Sequence, residues 1–349
     1  MSPATQLRIP TVETEFIDIP ATPLLVSRVA LGTWAMGGWM WGGTDQRESM
    51  ATIRAALHQG INLIDTAPVY GFGTSEEIVG AALEGVRKQA VIATKAGVEW
   101  RDGKIYRNAS RARILQEVDQ SLRRLRTDYI DIYQVHWPDP LVPVEETAET
   151  MHLLYEQGKI RAIGVSNFSV AEMERFRRVA PLHVVQSPYN LFERAIEAGI
   201  LPYARASRIA TFGYGALCRG LLSGRMRPDT AFGSGDLRHI DPKFQSPRYL
   251  QYLEAVRQLD SLARSRFHRS VIHLAVRWML DQGISVALWG GRHPQQVEAA
   301  LGVAGWSLNA AQRSVIEQIV NTAVVDPVGP EFMAPAPRPE PPKQLEIMS

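Results

Sequence analysis

Residues 130–168, IDIYQVHWPDPLVPVEETAETMHLLYEQGKIRAIGVSNF, decide the fold. An apolar run from Ile130 ends at Val135, a proline-rich turn follows, a helical pattern fills 144–157, and a second apolar run starts at Ile160. Strand, helix and strand in that order make a βαβ unit. Working outward, Val- and Ile-rich runs also begin near Val29, Asn62, Val91, Val184, Ile209 and Ser285, eight in all. Amphipathic segments are predicted between them over 46–59, 74–83, 111–125, 169–179, 196–207, 249–266 and 294–301. In 111–125, Ile114, Leu115, Val118, Leu122 and Leu125 share one face. Such alternation implies a parallel sheet, and eight units favour a closed (β/α)8 TIM barrel over an open doubly wound sheet.

No composition shift marks a second domain, so one domain is expected over 1–349, with the barrel at about 28–305 and a C-terminal helix and tail over 306–349. Segments 16–19 and 24–27 flank Pro20 and Pro23 and suggest a hairpin over the barrel bottom. A long loop, 223–247, has the length of a functional lid. Extra helices are predicted at 271–280 and 310–320. The tail from Asp326 carries seven prolines by residue 342 and is expected to be extended.

The 38 basic and 36 acidic residues leave a net charge of +2, which gives no footprint for nucleic acid. A single cysteine excludes a disulfide framework and any multi-cysteine metal site. Residues 1–16 lack a signal-peptide apolar stretch, and no run of about 18 apolar residues occurs. A cytoplasmic protein with no membrane association is expected, as a monomer or weak homo-oligomer.

Barrel enzymes place their chemistry at the C-terminal ends of strands. Those positions hold Asp65, with Tyr70 five residues on, then Lys95, His136, Ser166, Asn167, Gln186 and Tyr214. Only six of the basic residues are lysine, so Lys95 closing an apolar strand stands out. Singly, a strand-end Asp reads as a cap and a lone His as a core residue. Together, carboxylate, phenol, ammonium and imidazole converge on one rim. An ammonium beside a phenol lowers its pKa, and a carboxylate keeps the ammonium charged. A tyrosine tuned in this way can pass a proton to a developing alkoxide while the imidazole orients the oxygen. That set suits carbonyl reduction and its reverse, with a cofactor carrying the hydride.

At these residues the sequence resembles the aldo-keto reductase superfamily. GINLIDTAPVYGFGTSEEIVG (60–80), IDIYQVHWP (130–138) and IGVSNF (163–168) resemble its signatures. GTWAMGGWMWGG, LCRGLLSG, ALWGGR and DPVGPEFMAP resemble its bacterial general-stress branch, which includes glyceraldehyde reductase and glycerol dehydrogenase-like proteins. The resemblance implies NADPH, no metal, and a catalytic tetrad of Asp65, Tyr70, Lys95 and His136. It also implies that Gly32, Thr33 and Trp34 approach the nicotinamide ribose, and that Ser166, Asn167 and Gln186 hold the carboxamide. Tyr214 would stack on the ring. Gly215, Ala216, Leu217, Cys218, Arg219 and Gly220, with Arg225, would cradle the pyrophosphate. Arg238, Gly290, Gly291 and Arg292 would meet the adenosine end, where an arginine favours a 2′-phosphate, and Gln296 the adenine. Gly215-Ala216, Trp289 and Ala300 depart from Ser-Pro, Pro and Asn in many relatives.

Competing motifs fail. Gly71-Phe72-Gly73 begins a dinucleotide fingerprint, but position 76 is Glu. Arg111, Arg113, Arg123, Arg124 and Arg126 read as a solvated helix face, and Cys218 as a small packed residue. Trp34, Trp39, Trp41, Trp100 and Trp137 could wall a narrow mouth, with Phe332 and Met333 closing another side. Trp34, Tyr70, Trp100, His136 and Trp137 are the expected substrate contacts. Such a mouth suits small aldehydes and hydroxyaldehydes such as glyceraldehyde, methylglyoxal or short aldoses and, in reverse, glycerol or related polyols. Two alternatives are a slow-turnover, nucleotide-sensing regulatory subunit on this fold and, more remotely, a metal-dependent barrel hydrolase.

Overall fold

The computed structural model describes residues 14–339; residues 1–13 of the N-terminal stretch read above and 340–349 of the proline-rich tail lie outside the described residues. The described chain opens with an antiparallel hairpin, β1 (Phe16–Asp18) and β2 (Leu25–Ser27). There follow β3 (Val29–Gly32), α1 (Gln46–His58), β4 (Leu63–Asp65), α2 (Thr74–Ala82) and β5 (Val91–Ala96). A second hairpin, β6 (Val98–Arg101) and β7 (Lys104–Arg107), leaves the end of β5 before α3 (Arg111–Leu125). Alternation resumes with β8 (Ile132–Val135), α4 (Val144–Glu156), β9 (Ile163–Ser166), α5 (Val170–Arg177), β10 (Val184–Pro188), α6 (Ile200–Ala206) and β11 (Ala210–Tyr214). A long excursion and two helices, α7 (Arg248–Phe267) and α8 (Val271–Asp281), precede β12 (Val286–Gly290), α9 (Pro294–Glu298) and α10 (Ala310–Ala323).

Strands β3, β4, β5, β8, β9, β10, β11 and β12 form a closed parallel barrel, sealed where β12 pairs with β3. Side chains alternate across each strand. Ala30, Leu63, Ala93, Ile132, Val184 and Phe212 fill the lumen, while Leu31, Ile64, Ile92, Tyr133 and Val185 face the helix layer. Ile19, Leu24 and Val26 of the first hairpin join the lumen cluster, so the hairpin plugs the bottom as expected.

Three details differ from the sequence expectation. Ile130 and Ile160 form only an isolated bridge, and the regular strands start at Ile132 and Ile163. Asp131 intervenes there, its carboxylate accepting from Ile92 N and Arg87. The β6–β7 hairpin was not expected. The tail is extended apart from one short 3-10 turn, Glu331–Met333, and its β13 (Ala336–Pro337) pairs with β7. Among the described residues no helix is long and apolar enough to cross a membrane.

Candidate active site

The two-residue phase of the strands aims the polar side chains inward. Asp65 follows Leu63 in phase, Lys95 follows Ala93, Gln134 follows Ile132, Gln186 follows Val184, and Tyr214 follows Phe212. Each sits one step above an apolar lumen layer, at the C-terminal end of its strand.

Lys95 Nζ donates to Asp65 Oδ1 at 2.7 Å and to Thr66 O at 2.9 Å, with both charged side chains buried. Asp65 Oδ2 accepts from Gln186 Nε2 at 2.9 Å and Gln134 Nε2 at 3.5 Å. The ammonium lies 5.0 Å from the Tyr70 ring centroid, and the His136 ring meets Tyr70 edge-on at 5.9 Å. Trp34 stacks on Tyr70 at 6.0 Å. That stack depends on two glycines. A Cβ on Gly37 would stand 2.5 Å from Tyr70 C, and one on Gly71, whose φ is +65°, 2.0 Å from Gly37 O.

Burial, followed by the Asp65 charge, holds the Tyr70 phenol well above its ordinary pKa. The sequence led us to expect the opposite direction, from Lys95. Asp65 neutralises the ammonium at contact distance, and desolvation then dominates. Burial also lowers Lys95, and burial with the Lys95 charge pushes His136 well below the usual imidazole value. At neutral pH the site therefore presents a protonated phenol and a neutral imidazole.

A cavity of about 340 Å³ opens above these groups. Trp34, Tyr70, His136 and Trp137 line it, together with Ser166, Asn167, Gln186 and Tyr214 on one side. Trp100 does not. It packs on Phe72 at 5.7 Å, with the Arg113 guanidinium 5.9 Å from its ring. From the same hairpin Val98 and Ile105 reach the cavity instead, and Leu237, Ile240 and the tail segment 332–336 complete the wall. The tail is latched there. Arg107 Nε donates to Pro335 O at 2.7 Å, and Arg338 Nη1 to Asn108 Oδ1 at 2.6 Å and Asp139 Oδ2 at 2.9 Å.

Tyr214 OH donates to Asn167 Oδ1 at 2.8 Å, and Asn167 Nδ2 donates to His136 O and Ser166 Oγ, each at 3.0 Å. Gln186 Nε2 is spent on Asp65 and on Gln134 Oε1 at 3.4 Å, which leaves its carbonyl oxygen as the ligand-facing acceptor. A hydroxyl, an amide carbonyl and an aromatic face along one wall fit a planar carboxamide-bearing ring.

Further along, loop 215–220 takes left-handed backbone at Gly215, Cys218, Arg219 and Gly220. Its Cys218 and Gly220 N–H groups bond within the loop, to Gly215 O at 2.7 Å and Leu217 O at 2.9 Å. The Arg219 side chain turns away into a buried ion network with Glu193 and Asp241, which Lys243 completes 2.8 Å from Glu193. Arg225 is exposed. Two other arginines converge on Trp41. Arg238, held by Asp236, has its guanidinium 5.8 Å from the Trp41 ring, and Arg292 Nη1 donates to Trp41 O at 2.9 Å. Gln296 Oε1 accepts from Arg292 N at 2.8 Å, so its carbonyl caps α9 and only its amide nitrogen remains outward. Among the described residues no group of three His, Cys, Asp or Glu side chains could hold a metal.

Fold and site together define a barrel oxidoreductase with an Asp–Lys pair beneath a Tyr and a His. Residues 28–321 match the Aldo/keto reductase family, and the chain belongs to that family. It is 59% identical over 329 residues to Aldo-keto reductase YhdN of Bacillus subtilis (strain 168), covering 93% of this chain and 99% of that protein. To the NADH-specific methylglyoxal reductase of Escherichia coli (strain K12) it is 35% identical over 320 residues, 87% and 97% of the two chains. The structure of glycerol dehydrogenase AKR11B4 from Gluconobacter oxydans superposes with a TM-score of 0.83 at 52% identity, over 91% of this chain and 99% of that one. A Klebsiella pneumoniae aldo/keto reductase in complex with NADP and acetate superposes with a TM-score of 0.66 at 27% identity, covering 85% and 92%.

Proposed function

We propose that this oxidoreductase reduces small aldehydes and hydroxyaldehydes such as glyceraldehyde, methylglyoxal and short aldoses with NADPH, and in reverse oxidises glycerol or related polyols. The observation that carries this reading is the convergence of Tyr70 and His136 on one small aromatic cavity, with the buried Lys95–Asp65 pair against the Tyr70 ring. A nicotinamide cofactor, when bound, supplies or accepts the hydride. Ser166, Asn167 and Gln186 would hold its carboxamide, with Tyr214 against the ring and Gly32, Thr33 and Trp34 beside the ribose. Loop 215–220 and Arg225 would take the pyrophosphate, and Gly290, Gly291 and Gln296 the adenosine end.

Tyr70, kept protonated by burial, donates its proton to the carbonyl oxygen as that oxygen gains charge. Neutral His136 donates a hydrogen bond to the same oxygen and orients it. Lys95 compensates the phenolate left behind, and Asp65 keeps Lys95 in place. Alcohol oxidation needs the phenolate at the start, so it speeds up as pH rises.

NADPH is favoured by Arg238 and Arg292 meeting at Trp41, where a 2′-phosphate would find two guanidinia. The Klebsiella relative was solved with NADP, whereas the Escherichia coli relative is NADH-specific, so coenzyme choice is the first arm of the test. Purified protein is assayed with both coenzymes and a panel of aldehydes and polyols, in both directions. NADPH-dependent turnover of small aldehydes, lost preferentially over NADH turnover in R292Q, supports the reading. Absence of turnover on every small carbonyl, with the protein folded and coenzyme bound, overturns it.

A further inference from the structure

The opposite end of the barrel carries a basin of about 610 Å³ that the reaction does not use. Its walls are the turn of the bottom hairpin at Pro20 and Ala21, residues 177–183 between α5 and β10, and Ser207 and Arg208 between α6 and β11. Helix-to-strand connections lie at the N-terminal face of such a barrel, so the basin is separated from the catalytic cavity by the apolar lumen layer.

The basin is rich in donors and holds no carboxylate. Arg177, Arg178 and Arg208 line it, and no aspartate or glutamate does. Arg177 is fixed by neutral partners alone, Tyr203 Oη at 3.1 Å and Ser207 Oγ at 2.8 Å. Among the described residues none of the three arginines forms an ion pair, although arginine–carboxylate pairs abound elsewhere in the chain, including Arg175 with Glu145 one helical step away. His183 is nearly buried in the basin wall and accepts the Ile163 N–H on Nδ1 at 3.0 Å. That bond fixes the neutral ring's proton on Nε2, which makes the remaining nitrogen another donor.

Three guanidinia outside any contact ion pair, one of them already oriented and Arg178 sharing the field of Glu145 with Arg175, form a concave positive surface with an imidazole N–H. Guanidinium forks match phosphate oxygens bidentately. The near-balanced net charge and the small concave footprint suit a small solute better than a polymer backbone. We propose that this basin is a second, non-catalytic binding site for the phosphate group of a small phosphorylated anion, contacted by Arg177, Arg178, Arg208 and His183.

The test is isothermal titration of full-length protein saturated with NADP⁺, so that any cofactor-phosphate subsite is already filled, using pyrophosphate, orthophosphate and glycerol 3-phosphate as probes. Saturable binding of about one pyrophosphate per chain is expected. In R178Q/R208Q the affinity should fall at least about tenfold, because two charge-assisted contacts are lost. R178K/R208K should recover part of it, and R266Q, which alters an exposed arginine elsewhere, should have no effect. Arg178 and Arg208 are exposed and hold no side-chain partner, so the variants keep the fold and the aldehyde reductase rate. A preference for glycerol 3-phosphate over orthophosphate identifies an esterified phosphate, and equal binding identifies the bare group. No saturable binding below about 1 mM, or equal binding by R178Q/R208Q and wild type, overturns the site. Neither outcome depends on which aldehyde the enzyme reduces.

Discussion

Arg338 reaches back 199 positions to place Nη1 2.9 Å from Asp139 Oδ2, tying the tail to the loop that follows the His136 strand. The tail segment it secures supplies part of the cavity wall. R338A should raise KM for small aldehydes about two- to fivefold with kcat nearly unchanged, since the tail loses its latch while the buried Asp139 carboxylate keeps the Ala109 and Leu141 N–H groups as partners. Steady-state kinetics decide it, and an unchanged KM would mean that the tail holds its place without the latch.

The proton-donor assignment makes a sharper demand. Y70F should lower kcat by about 10²–10⁴ while leaving coenzyme affinity intact. Rapid-mixing rates and coenzyme fluorescence titration measure the two separately. Wild-type turnover in Y70F removes Tyr70 from the mechanism.

Lys95 and Asp65 are both buried, so removing one partner leaves an uncompensated charge. K95M should cost about 3–5 kcal/mol of stability. Adding D65N should restore part of that loss, which a double-mutant cycle by urea denaturation will show. Additive losses would mean the pair is not coupled.

Glu117 gives a pH signature. Burial raises its carboxyl from the ordinary value of 4.5 to about 7, against the opposing pull of Arg113 and the Gly97 N–H. Between pH 4.5 and 7 the folded chain therefore holds a proton that the unfolded chain has released. This group's contribution is full below pH 4.5 and declines as pH rises through 7. E117Q should flatten the fall in stability across that window relative to wild type. Parallel urea midpoints from pH 4.5 to 8 would refute the assignment.

Cys218 is the chain's only cysteine, and burial pushes its thiol up to about 12. A thiol reagent should label none in the native protein and one per chain in guanidinium. Labelling at native rates comparable to free thiol would show that the loop around Cys218 opens.

The barrel was legible because alternation and strand phase are local properties. Counting by twos from Leu63, Ala93 and Ile132 aims Asp65, Lys95 and Gln134 into the lumen. Gln134 carries the same signal, a polar residue in phase with His136 on an apolar strand. The β6–β7 hairpin also had one. Asp102-Gly103, both with positive φ, is the two-residue turn that such hairpins use. Three-dimensional pairing was not legible. Nothing near Trp100 announces that it faces Phe72 while Ile105 takes the cavity, and Arg219 looked like a ligand for the cofactor before its partners, Glu193 and Asp241, were known.

That buried network has a consequence for exchanging parts between relatives. Lys243 donates to Gly329 O at 3.1 Å, and Asn190 bonds both Glu193 and Gly215 O. One electrostatic knot thus fastens the excursion after β11, the loop at 215 and the tail that walls the cavity. The tail of this chain, grafted onto another family member, would arrive without its anchor unless Asp241 and Lys243 travelled with it. The cavity wall and its fastening are thus encoded in two distant segments, and they are best exchanged together.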